Sequence, residues 1–135
     1  DLVTGVQTCA LPIFTLPSIT SGSAAAVAGA NDYNVASNLG CTYTFWVETA
    51  ATDMDIKTDG TDRFFGAVYT GINDSAAGKT FISSSGSNDV ITMNGSTKGG
   101  LAGSWVQITA IASAAYYVTG QLLGSSTLVT PFADA

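Results

Sequence analysis

From Phe14 to Ala135, Gly, Asn, Asp and Ser recur so often that the chain is cut into short runs, within which apolar residues alternate with a period of two. That spacing sends successive side chains to opposite faces of an extended strand and does not match the 3.6-residue period of an amphipathic helix. Residues 41–48 are the clearest case: Tyr43, Phe45 and Val47 share one face, and Thr42, Thr44 and Trp46 the other. Met54, Ile56 and Thr58 alternate with Asp53, Asp55 and Lys57, which predicts a half-buried strand ending at an Asp59-Gly60 hairpin turn. Further strands are predicted over 64–70, 79–84, 89–93, 104–111 and 116–123, with turns at Asn73-Asp74, Asn94-Gly95 and 112–115. An opening strand over 14–19 contains Pro17, which confines it to a sheet edge or a strand end. The tail, 127–135, reads as extended, with Pro131 barring a helix. The Ala-rich stretch 21–38 reads as a loop rather than a short helix over 24–28, because Gly22 and Gly29 bracket its alanines closely. Roughly eight short strands separated by turns predict an all-β fold, a single-domain antiparallel β-sandwich that is jelly-roll-like.

Charge narrows the possible functions. Only 10% of the 135 residues are charged, with Ser, Thr, Asn and Gly filling the gap, against about 25% in an average globular chain. The net charge is −6, and the four basic residues, Lys57, Arg63, Lys79 and Lys98, are scattered singly. Neutralising phosphates takes clustered Lys and Arg, so no nucleic-acid partner is expected. Histidine is absent, which removes the Ser-His and Cys-His nucleophile pairs and the usual general base near neutral pH. Cys9 and Cys41 make neither a disulfide framework nor a zinc site. No apolar run approaches the ~20 residues of a membrane-spanning helix, so no membrane partner is expected. The N-terminus lacks the basic region of a signal peptide. The expectation is a protein that is not an enzyme, with no catalytic residue and no cofactor.

Two groups of residues invite a binding role. Asp53, Asp55, Asp59 and Asp62 form the densest acidic cluster and are the candidate metal ligands, with calcium as the ion. Their spacing lacks the terminal Glu of an EF-hand, and the plain alternative is a strand with solvated Asp on one face. As a glycosidase pair Asp53 and Asp55 fail, because side chains two apart on one strand point the same way rather than across a cleft. Trp46 is the candidate glycan contact: it lies on the Thr face, opposite Tyr43 and Phe45, and aromatic rings pack on the apolar faces of sugars. Trp105 is expected in the core, as are most aromatics of a small β domain. Gly78-Lys79-Thr80 is no phosphate loop, because Asn73 stands where that motif needs a glycine. Asn73-Asp74-Ser75 and Asn94-Gly95-Ser96 match the glycosylation sequon, a pattern frequent by chance.

Residues 3–13, VTGVQTCALPI, resemble the translation of a common sequencing adapter across the whole run. Residues 1–13 are therefore expected to be a non-native segment that replaces the true N-terminal part, leaving 14–135 as one β-sandwich domain. From Phe14 onward the chain resembles small β-rich virion proteins of tailed bacteriophages, of the capsid-decoration or head-associated type. The pattern runs through Thr15-Leu16-Pro17, Gly40, Tyr43-Thr44-Phe45, the turn from Thr58 to Asp62, Gly103-Ser104-Trp105-Val106, Tyr117-Val118-Thr119-Gly120 and Thr130-Pro131-Phe132-Ala133. The resemblance implies a decoration or cement subunit on the capsid exterior, with the major capsid protein and further copies of itself as partners, a trimer by analogy. The alternative it admits is a fibre or adhesin module that binds cell-surface glycan. These shared positions are turns and core sites, so no catalytic residue is carried over.

Overall fold

The computed structural model describes residues 13–19, 38–72, 77–83 and 86–135. Among them nine strands form and no helix: β1 (Ile13–Thr15), β2 (Thr42–Trp46), β3 (Met54–Lys57), β4 (Arg63–Ile72), β5 (Gly78–Ser83), β6 (Val90–Met93), β7 (Trp105–Ala112), β8 (Ala115–Gly124) and β9 (Phe132–Ala133). They make a four-stranded sheet in the order β1-β3-β6-β9 and a five-stranded sheet in the order β2-β7-β8-β4-β5. The two sheets pack face to face. Residues 21–37, the Asn73-Asp74 turn and the sequon at Asn73 lie outside the described residues, as does all of the adapter-like segment except Ile13.

The period-two pattern sorts residues 41–48 and 53–58 as expected. Ile56, Phe64, Val68, Ile91, Met93, Val106, Ile108, Tyr116, Val118 and Leu122 point inward and are almost fully buried. Tyr43 and Phe45 pack against them. Leu16, just past β1, is also core, and the tail contributes Leu128 and Phe132. Ile13, the last adapter-like residue, opens β1 and stands beside Asp55.

Both sheets are mixed, which corrects the antiparallel expectation. β1 runs parallel to β3, and β4 runs parallel to β8 over the full register from Arg63↔Ala115 to Ile72↔Gly124. The second pairing follows from the chain path. β7 and β8 form an antiparallel hairpin turned at Ala114, whose φ is 59°, and the free edge of β8 then meets β4 running the same way. Gly66 lets the two backbones close up: with φ at 122°, it sits where a Cβ would overlap the Val118 carbonyl.

The Asp59-Gly60 turn is likewise a correction. It does not join paired strands, because β3 and β4 lie in different sheets. Residues 58–62 form a corner instead. Asp59 Oδ1 accepts the amides of Thr61 and Asp62 at 2.8 and 2.9 Å, while Thr58 Oγ1 donates to the Asp62 carbonyl at 2.8 Å. Asp side chains that bond their own backbone two residues on make such turns without a ladder.

Candidate ligand-binding face

Alternation buries one face of the five-stranded sheet and leaves the other free. Cross-strand registers align the outward residues in rows running across the strands. One row is Trp46–Trp105–Gln121–Tyr69–Thr80, through the pairings β2·β7, β7·β8, β8·β4 and β4·β5. The next is Thr44–Gln107–Thr119–Ala67–Ile82, and a third is Thr42–Thr109–Tyr117–Phe65.

Trp105 belongs to this outer face, which corrects its expected place in the core. It is half-buried, shielded by Trp46 rather than by the sandwich interior. The two indoles lie 6.0 Å apart between centroids, tilted by 33°, within the range of favourable aromatic pairs. Trp46 remains 70% exposed, and Tyr69 and Tyr117 are 45% and 47% exposed. Ile82 is exposed as well. Tyr69 lies across two glycines: a Cβ on Gly78 would overlap its hydroxyl and ring, and one on Gly71 would touch its Cε1 at 3.5 Å. The ring thus occupies the space that a side chain at Gly78 would take, and it remains 45% exposed. Thr42 and Thr109 share a hydrogen bond of 2.9 Å between hydroxyls, so part of the polar row is already ordered.

The face carries no charge at its centre. Arg63 and Lys79 are the only charged residues in the five strands. Arg63 sits at the start of β4, donating to the carbonyls of Gly60 and Gly86. Lys79 is paired with inward-facing Thr70 and reaches the Leu128 carbonyl at 3.3 Å.

The acidic candidates do not share one site. Asp53 is exposed ahead of β3, and Asp55 lies beside Lys57 at 3.6 Å. Asp59 and Asp62 belong to the corner. Asp62 is buried, and its Oδ2 accepts the Ile19 amide at 2.8 Å. Burial pushes its carboxyl above the ordinary range, against the pull of that amide. Asp59 is held below that range by the Ser18 side chain, then by the Asp62 and Thr61 amides. Among the described residues no group of three or more acidic or Cys side chains gathers as a metal site. The sequon at Asn94 is committed to its own loop: Oδ1 accepts the amides of Ser96 and Lys98, and Nδ2 donates to Thr97. Tyr116 is core, its hydroxyl donating to the Pro17 carbonyl at 2.6 Å.

Sequence reasoning singled out Trp46 on this face and missed Tyr69 and Gln121. Alternation along 63–72 places Tyr69 on the side of Arg63, Phe65, Ala67 and Gly71, opposite Phe64 and Val68. Its alignment with Trp46 required the parallel β4–β8 pairing, which no local signal carries. A scan against protein-family models returned no match, and searches of curated proteins and of solved structures returned none.

Proposed function

We propose that this chain is a structural module of a virion surface that works by surface contact and not by turnover, and that its outer five-stranded face recognises cell-surface glycan. The observation that carries the reading is the row of Trp46, Trp105 and Tyr69 on a sheet face with no charge at its centre. Solvent-held aromatic rings with hydroxyl and amide neighbours suit ligands that offer both apolar faces and hydroxyls. The virion setting rests on the resemblance carried by the turn and core positions. A jelly-roll-like wrapping is part of the proposal, supported by the alternation of β1, β2, β3 and β4 between the two sheets. The test is a glycan array probed with the purified protein: saturable binding to a defined set of glycans supports the reading, and a blank array removes it.

The second reading is a decoration or cement subunit that seats this face on the major capsid protein, or on further copies of itself around a symmetry axis. Exposed Ile82 and Ile111 favour it, since aliphatic side chains add nothing to sugar stacking and charge-depleted, aromatic-rich patches mark protein interface cores. Pelleting with capsids that lack the subunit, together with light scattering of the free protein, separates this reading from the first.

A further inference from the structure

We infer that the ligand of this face is an uncharged, linear oligosaccharide that lies across the strands, with one end on the Trp46–Trp105 pair and the other on Tyr69. The inference deepens the glycan reading and rests on it.

Three features define the ligand. The first is charge. No charged side chain projects from the middle of the face, while the chain as a whole carries −6. A sialylated, sulfated or uronic-acid chain lying along this row would find no cation beside it, since Arg63, at the far start of β4, is engaged by the Gly60 and Gly86 carbonyls and by Asp89, and it would meet the repulsion of an acidic protein. A neutral sugar has no such cost.

The second is length. Trp46 to Tyr69 crosses β2, β7, β8 and β4, three inter-strand steps, or roughly 14 Å at the usual spacing. A single sugar ring covers one aromatic end only, so both ends can be occupied only by a chain of several units. The third is polarity between the ends. Gln121 stands directly between Trp105 and Tyr69 in register and is exposed. Its amide offers a donor and an acceptor to sugar hydroxyls midway along the row. Thr44, Gln107 and Thr119 in the neighbouring row line the same path.

The direction is set by the rings. Stacking needs accessible rings, and Tyr69, 45% exposed, lies over Gly71 and Gly78, which carry no side chain to displace it. Trp46, the most exposed of the three rings, lies at the sheet edge. A chain running along the strands instead would leave one of these ends for Thr or Ala positions.

Calorimetric titration with neutral gluco-, manno- and galacto-oligosaccharides of increasing length, and with sialylated and sulfated chains, tests the inference. The expected result is an affinity that rises about tenfold or more from monosaccharide to the length that reaches both ends, then levels off. Tyr69→Ala should abolish that gain while leaving binding of the shortest ligands on the Trp pair, and Tyr69→Phe should retain it. Gln121→Ala, which removes no ring, should weaken the longer chains alone. Preferential binding of anionic chains, or an affinity independent of length, overturns the inference and leaves the glycan reading standing. Failure to bind any carbohydrate overturns both.

Discussion

The Ile19 amide donates to Oδ2 of Asp62 at 2.8 Å, tying the segment that follows β1 to the corner that starts β4. Asp62 is only 3% exposed, so this bond has little competition from water. Asp62→Ala should cost about 1–3 kcal/mol by leaving the amide unsatisfied, whereas Asp62→Asn, which keeps an acceptor oxygen, should stay within about 1 kcal/mol of the parent. Urea denaturation of the three proteins at neutral pH measures both differences.

The same carboxyl gives a pH signature. Its folded-state pKa is raised, so the folded protein takes up its proton more readily than the unfolded chain. The contribution of Asp62 to stability is full below the ordinary carboxylate range and is lost as pH rises through the raised value. Asp59 acts in the opposite sense: its pKa is lowered, so its contribution is present above the ordinary range and is lost as pH falls through the lowered value. Asp62→Asn should therefore steepen the net loss of stability on acidification, and Asp59→Asn should flatten it. Thermal melts between pH 2.5 and 7 — about the range over which carboxylates titrate — read the two slopes.

Thr70 is fully buried, and its hydroxyl is the one buried side-chain polar atom among the described residues without a hydrogen-bond partner. Thr70→Val removes that hydroxyl and keeps the shape, so stability should hold or rise by up to about 1 kcal/mol. A loss of more than that would show that the hydroxyl has a partner in solution.

Gly66 marks the parallel junction of β4 and β8. Gly66→Ala combines a positive φ with an overlap on the Val118 carbonyl and should cost about 3 kcal/mol or more. Gly60→Ala also meets a positive φ, of 85°, but has open space around it, and should cost no more than about 1–2 kcal/mol. Equal costs in a denaturation series would contradict the close β4–β8 approach.

Alternation made the strands over 41–48 and 104–111, the inward face of 41–48 and the hairpin turn at 112–115 legible in sequence, because period two is a local property. Pairing between distant strands was not legible. Asp59-Gly60 has the residues of a hairpin turn, yet Thr58 and Asp59 spend their side chains on the corner and send β4 to the other sheet. Trp105 shows the same limit. Its parity opposite Val106 and Ile108 was visible, but that face meets Trp46 and solvent, a fact set by the β2–β7 register. Of the candidate site, Trp46 was legible as an aromatic on a Thr face, whereas Tyr69 and Gln121 joined it only through β8.

The outer location of Trp105 sets a modest energetic role. Trp105→Ala should cost about 1–2 kcal/mol, reflecting a half-buried ring and a lost aromatic pair, against about 2–5 kcal/mol for Ile108→Ala on the inner face of the same strand. A cost for Trp105→Ala equal to that of Ile108→Ala would return the ring to the core.

The central claim, that the outer face of the five-stranded sheet is the recognition surface, is tested most directly by probing one glycan array with the parent protein and with the Trp46→Ala, Tyr69→Ala double variant. Both side chains are exposed, so the melting temperature should change by no more than a few degrees. The account predicts that every glycan signal of the parent is lost in the folded variant. Signals that persist unchanged in the variant would place recognition elsewhere on the molecule and contradict it.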